Sequence, residues 1–549
     1  WRGLLLACEA GKNVVFGYRP VFEGSSVKLE RFDFLTSNKE KRYAGSDFLG
    51  GKGNPVGETI TLFRPSDVTV GPDGALYVAD WFDVRVGGHG TGDQLWSGTI
   101  YRIAPKGFVS KVPKFDLDTI QGQIEALKNP APNVRYSGFI RLKAQGEKAV
   151  PEVAEVLKDS NPYIAARAIW LLAQMGAAGE AKVRALLKSE DETVRLVALR
   201  ALKRAGKDVV TLSKEMVKDR SALVRAEVAV GLRDVAFAHS GDLLLELAKG
   251  FDGKDAAYLE SFGLGCEGKE NEVYAALRPT LPAPEEWSAA TAKIAWRLGA
   301  SNSVPDLRVR VNSSKVSVED RNLMMTAIAF IQTPEAVEAM VDLIADKASP
   351  LYEGALWWLN HRRYNDWSAY GVEAVAEKRG TPLPKAVKLV SVQAPVPPET
   401  PSKLPSGKEI AALQGDVERG QAASAVCIAC HKIGSLGIEF GPNLTQFGQT
   451  QPREVIVNAI LNPSAEISHG YEMTHVETKD GIIIDGIAVS EGDPLVIKSV
   501  GGLEQKVPKH QIRSSKKTKT SLMPQPEMLG LDAQKISDIA AFLKSDKVK

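Results

Sequence analysis

Cysteine is scarce in this chain. Four residues in 549, Cys8, Cys266, Cys427 and Cys430, cannot staple a protein of this size, so disulfides do not hold it together. No apolar run reaches the roughly 20 residues that a membrane-spanning helix needs, and the sequence offers no transmembrane segment of that kind. Charge of one sign is lacking as well. Lys and Arg number 69 against 67 Asp and Glu, so the whole-chain field argues for neither nucleic acid nor an anionic membrane as the principal partner. Any charge-guided docking must be local. A nucleophile elbow, a phosphate-cradling glycine loop and a zinc-protease helix are all missing, and no catalytic constellation emerges. The length exceeds what one core can organise and predicts about three or four domains.

The pattern changes character along the chain. Residues 1–108 read as short β-rich runs separated by Gly, Asn and Asp turns, such as NVVFGYRPVFEGSSVKLERF and DVTVGPDGALYVADWFD. In GPDGALYVADW, Pro72-Asp73-Gly74 supplies the turn and Ala75 to Ala79 the strand, with GTIYRIAP as the strand that follows. Repeated units of this kind build β-propeller blades. About two blades fit here, while closure needs about four or more, so the segment reads as the end of a propeller. The chain begins at Trp1 without Met, and the expectation is that the native N-terminus and any export signal lie upstream.

Residues 117–385 read as helical with internal repetition. PNVRYSGFIRL, NPYIAARAIWLL, ETVRLVALRAL and ALVRAEVAVGL align at Val134, Ile164, Val194 and Val224, a constant step of 30 residues. Paired helices on such a step stack into an α-solenoid that buries a continuous apolar stripe, and the units resemble HEAT-like repeats. The period blurs beyond about Phe251. Residues 386–408, containing APVPPETPSKLPSG, are Pro-rich without a period and predict a semi-extended linker. Residues 409–549 then form a separate C-terminal domain.

That domain contains Cys427-Ile428-Ala429-Cys430-His431. The spacing puts two thiols and an imidazole on one turn of chain, as c-type haem attachment requires: thioethers to the haem vinyls and a histidine to the iron. A zinc half-site and a thioredoxin-like pair are the rival readings. Zinc needs four ligands, and Cys8 and Cys266 belong to other predicted domains. A redox CxxC expects a βαβ surround, which this sequence lacks.

The flanks resemble class I c-type cytochromes. GDVERGQAASAVCIACH is similar to the family's first helix entering the haem motif, with Asp416 as N-cap and Gly420 where a last helix, LDAQKISDIAAFLKS, crosses closely. The resemblance implies that Pro442 of GPNL accepts the hydrogen bond from His431 Nδ1, leaving Nε2 for iron. It also implies a Met ligand in SLMPQPEMLGL, for which Met523 is the favoured residue and Met528, Met473, His469 and His475 are the alternatives. Between motif and ligand loop, residues 471–513 read as an inserted β-sheet with a basic edge of Lys509, His510, Arg513, Lys516, Lys517 and Lys519. That edge is either a solvated face or a docking patch for an acidic redox partner.

The whole order resembles large haem-binding proteins of planctomycetes and verrucomicrobia, whose N-terminal part is similar to quinoprotein sugar dehydrogenases. The fold class expected is multidomain and mainly α: partial propeller, α-solenoid, and a class I cytochrome c domain with a β insertion. The resemblance implies one covalent haem c, single-electron transfer, a redox partner protein and a periplasmic or exported location, with a membrane-associated respiratory complex as one setting for that partner. It leaves open a quinone or calcium in the propeller and a role as the output module of a sugar or alcohol dehydrogenase. A solenoid scaffold for a larger redox complex is the third reading. His89, with Asp80 and Asp83, is a weaker candidate for a cofactor or ion in a blade loop. Trp357, Trp358 and His361 sit at helical spacing and are expected at the core and rim of the solenoid.

Overall fold

The computed structural model describes residues 3–38, 63–81, 98–383, 389–394 and 403–548. The protein is multidomain and mainly helical, with small antiparallel sheets at both ends. At the N-terminal end, Leu5–Glu9, Val14–Glu23 and Ser26–Thr36 form one three-stranded sheet, and Pro65–Val70, Leu76–Asp80 and Thr99–Ile103 form another. The turn expected at Pro72-Asp73-Gly74 is present: Gly74 has φ +87°, open to glycine, and the Asp73 carboxylate accepts from the Ala75 amide at 3.1 Å. Val15, Phe63 and Val78 form the shared apolar core of the two sheets. Among the described residues these strands do not close into a propeller.

The helical region is a two-layered stack. Pro162–Leu172 packs on Glu192–Arg204, which packs on Ala222–Gly231, and the same layer continues through Ala256–Gly265, Ala289–Leu298, Val318–Phe330 and Tyr352–Arg362. The intervening helices form the second layer, and one continuous core runs from Ile124 to Ala376. The stack therefore persists past Phe251, where the sequence period blurs, because packing requires the helices and tolerates connections of unequal length. Arginines near the helix starts tie the units together. Arg167 donates to Leu127 O and Asn129 O, Arg195 to Ser189 O and Glu190 O, and Arg225 to Asp219 O and Gly250 O. Each supplies donors to backbone carbonyls that the helices themselves leave unpaired.

The sheet end of the chain is clasped to this stack. Ser25, at the tip of the long hairpin, donates from N and Oγ to Asp255 at 2.7 and 2.8 Å, and Asn129 donates to Pro72 O at 3.1 Å.

The C-terminal domain packs the helices Gly407–Ala412, Val417–Ala423, Leu444–Thr450, Arg453–Leu461 and Ala533–Leu543 around Ile410, Ile456, Val457, Ile536 and Ile539. The inserted sheet has five antiparallel strands in the order Glu504–Val507, Leu495–Lys498, Ile483–Ser490, Met473–Thr478, Ile512–Lys517. It extends four residues beyond the expected end at 513. The chain before this domain is not only a connector. Val392 bridges to Ile484, exchanging hydrogen bonds with Ile483 and Asp485, where the neighbouring strand Leu495–Lys498 no longer reaches. Residues 389–394 contain no proline and so keep the backbone N–H groups that such pairing needs. Asn365 of the stack donates to Asp493 O at 3.2 Å, and the Tyr364 and His510 ring centroids lie 5.1 Å apart, so the sheet also touches the helical stack. Among the described residues no helix is long and apolar enough to cross a membrane.

Candidate functional site

The CxxCH segment follows the helix Val417–Ala423 and a short 3-10 turn, Ser424–Val426. Asp416 caps that helix, its carboxylate accepting from Arg419 N at 2.8 Å. The amides of Cys430 and His431 both donate to Cys427 O, at 3.1 and 2.8 Å, which winds the two thiols and the imidazole onto a single turn. The return loop is then pinned to that turn: Phe440 N and Gly441 N donate to Cys430 O at 3.2 and 2.7 Å.

This pinning carries Pro442 to the histidine. His431 Nδ1 lies 2.7 Å from Pro442 O. A carbonyl only accepts, so Nδ1 is the donor and the neutral ring keeps its lone pair on Nε2. Two glycines make room. A Cβ on Gly441 would meet His431 Cε1 at 2.5 Å, and one on Gly437, whose φ is +86°, would meet His431 O at 2.0 Å. The sequence marks Gly441 only as the start of GPNL and does not mark Gly437, although the spacing of glycines in GSLGIEFGPNL is the available signal.

The electrostatics favour neutral groups. Burial pushes the Cys427 thiol up to about 11, with Cys430 beside it adding to the effect, and burial raises Cys430 as well. Burial lowers the His431 pKa, and the Pro442 carbonyl opposes it only in part. A thiol that acts by disulfide exchange needs a depressed pKa, which is the opposite of what this turn provides. Both cysteines are free, and among the described residues no group of three or more His, Cys, Asp or Glu is arranged to hold a metal ion by itself.

The close helix crossing expected at Gly420 is present. A Cβ there would stand 2.0 Å from Asp538 O and 2.9 Å from Phe542 Cβ. Beside it Arg419 Nε reaches the buried Asp538 carboxylate at 2.8 Å, and the same carboxylate accepts from Asp416 N and Gln534 Nε2. Gly448 repeats the device, with Leu543 O 2.3 Å from its would-be Cβ, so two helices lie hard against Ala533–Leu543.

The candidate second ligands separate clearly. Met523 packs in the helical core that also holds Cys427, Ile428 and Phe447. Met528 is 50% exposed, away from that core. The His469 side chain is 94% exposed and faces Glu472. His475 Nδ1 is 2.6 Å from Asp485 Oδ1 on the inserted sheet. Met473, two residues before His475 and so on the same face of that sheet, is buried with Phe440 and Leu522 in a cluster against which Cys430 packs. The inserted sheet thus forms a wall on the Cys430 side, a role that the alternating pattern alone does not reveal.

The other candidates lie apart. Asp80 is buried and its carboxylate accepts from Arg64 N at 2.9 Å, while Asp83 and His89 lie outside the described residues. Trp357 is 57% exposed and stacks on His361 with ring centroids 4.9 Å apart, and Arg362 lies over the Phe330 and Trp358 rings, so this cluster belongs to the rim.

No protein-family model and no curated protein matches this chain. The solved complex of CpcE and CpcF of phycocyanin lyase from Nostoc sp. PCC7120 is similar at 16% identity, over 50% of this chain and 99% of that chain, with a TM-score of 0.17, too low to support a structural conclusion.

Proposed function

We propose that the C-terminal domain is a class I cytochrome c domain that holds one covalent haem c and exchanges single electrons. The observation that carries this reading is the 2.7 Å contact between His431 Nδ1 and Pro442 O, made on the same turn that presents Cys427 and Cys430. The donor set fits the group. Two protonated thiols are available for thioether formation, and an oriented imidazole offers Nε2 to iron. Met523, which packs against the same core as Cys427, would supply the second protein ligand. Haem bound in this way supplies reversible one-electron chemistry.

The chain's own residues supply the environment. Pro442 fixes the imidazole tautomer, Gly441 lets the loop close on the ring, and Met473, Phe440 and Leu522 exclude water from the Cys430 side. By resemblance, the helical stack is a HEAT-like solenoid, the N-terminal sheets belong to a propeller, and the protein works outside the cytoplasm with a redox partner. The test is the intact mass and optical spectrum of native, denatured protein. A mass increased by one haem that survives denaturation, with a c-type spectrum on reduction, is expected. Matured protein without either rejects the proposal, and Cys427→Ala/Cys430→Ala must abolish both.

A further inference from the structure

The chain is nearly neutral, yet one stretch is not. Residues 505–526 contain six Lys or Arg among 22 positions and no Asp or Glu, against a net charge of +2 for the whole. The structure places this run on and around Ile512–Lys517, an outermost strand of the inserted sheet. One edge of the strand pairs with Met473–Thr478, and no described strand pairs with the other. Lysine on an exposed strand edge guards against unwanted sheet extension, so its presence alone needs no partner.

Two further observations go beyond that. The first is how the charge is distributed. Arg513 is neutralised by Glu477 at 2.6 Å and Lys517 by Glu491 at 2.8 Å, while exposed Lys516 and Lys519 form no ion pair among the described residues. At the other end His510 is turned against Tyr364 of the solenoid, so the open part of the patch is the Lys516–Lys519 end. The second is where the strand leads. Lys516 pairs with His475 and Lys517 with Thr474 across the ladder, and Thr518 N donates to Met473 O at 2.8 Å. Met473 is the residue buried beside Cys430. With neighbouring strands about 4.8 Å apart, the free edge stands a single strand outside the wall of the proposed cofactor cleft.

We infer that the free edge of Ile512–Lys517, with Lys516, Lys517 and Lys519, is the docking surface for an acidic electron-transfer protein. The inference rests on the haem reading for the electron and on charge and topology for the surface. A partner seated there gains steering from the unpaired lysines, and interleaved Glu477 and Glu491 give it a register of both signs to match. That interleaving suits a protein surface better than an anionic bilayer, which rewards an unbroken basic cluster.

The test uses the holoprotein and K516E/K519E, with K182E/K188E on the exposed face of the helical stack as a control of equal charge change. Three probes are used: oxidation of the reduced protein by ferricyanide, a trianion, calorimetric binding of a deca-glutamate peptide, and binding to phosphatidylserine-containing vesicles. At about 10 mM salt, K516E/K519E is expected to react at least roughly fivefold more slowly than wild type, with the difference largely gone near 0.5 M. It should also lose peptide binding, while the control retains both properties. Equal effects of the two double variants overturn the inference. So does an unchanged ferricyanide rate accompanied by lost binding to phosphatidylserine-containing vesicles, which would make the edge a membrane contact. A wild-type protein without haem fails the functional reading instead, and the peptide measurement, which needs no haem, still decides the surface.

Discussion

Replacing Gly441 by alanine tests the geometry of the site with one methyl group. No positive φ constrains this glycine, so alanine can adopt its backbone, and the effect must come from space alone. The added Cβ would sit 2.5 Å from His431 Cε1 and 2.8 Å from Nδ1, whereas ordinary contact begins near 3.4 Å, so ring or loop must move by about 0.9 Å. The ring cannot retreat without lengthening its 2.7 Å contact to Pro442 O, and moving the loop strains the Gly441 N to Cys430 O bond. Overpacking of this kind costs about 1–3 kcal/mol, and a buried N–H left without an acceptor costs a similar amount. A loss of about 3 kcal/mol is therefore expected in urea unfolding of the holoprotein. The reduction potential should rise, because an imidazole that no longer donates to a carbonyl is a poorer donor to ferric iron. Gly470→Ala is the control: its φ of +87° brings strain of about 1–2 kcal/mol, but nothing lies within 4 Å, so the potential should not move. If G441A matches wild type in both stability and potential, His431 is not held as described.

Three other outcomes are expected. Met523→Ala should remove the spectral signature of thioether ligation and lower the potential, whereas exposed Met528→Ala should leave both unchanged. Asp538→Asn should cost about 1–3 kcal/mol at pH 7, since it weakens the acceptor shared by Arg419, Gln534 and the Asp416 amide. Burial pushes the Asp538 pKa up, but Arg419, Gln534 and Asp416 together outweigh it and hold it below the usual value. The folded pKa thus lies below the unfolded one, so this contribution is full above about pH 4 and lost as pH falls through the folded pKa. The wild-type and D538N stabilities should converge in acid titrations followed by circular dichroism. Arg195→Ala strips the partner from Asp219, both side chains being under 10% exposed, and should cost the helical stack about 3–5 kcal/mol by far-ultraviolet dichroism, with haem absorbance unaffected at the same denaturant concentration.

Legibility differed between parts of the chain for physical reasons. The helix pairs at Val134, Ile164, Val194 and Val224 were readable because stacking demands the same apolar residues at the same step, and Arg195 and Arg225 recur with them. In the second unit the equivalent task falls to Arg167, two positions later than the aligned site, which meets the same class of carbonyl. The turn that gathers Cys427, Cys430 and His431 was legible because it is local in sequence. What was not legible is nonlocal: that Met473 joins the cluster against which Cys430 packs, that Val392 completes a gap beside Ile484, and that Asp538 gathers donors from two helices. Each depends on a register or a crossing that the amino-acid pattern allows but does not specify.

The inserted sheet is the element on which these nonlocal contacts converge. It receives Val392 from the segment leading out of the helical stack and contacts Tyr364 and Asn365 of the stack itself. Through Lys498 Nζ to Glu439 O at 3.1 Å and through Met473, it holds the loop that carries Pro442 to His431. A wall braced from both sides resists the loop motion that would loosen the imidazole, so the sheet contributes to the orientation of His431. The consequence is specific. Substitutions at the stack contact, such as Asn365→Ala, remove only a peripheral hydrogen bond of about 1 kcal/mol, yet should raise hydrogen exchange at Phe440 and Gly441 as well as at Asp493. If exchange rises at Asp493 alone, the sheet is a passive insertion, and the site is ordered by its own helices.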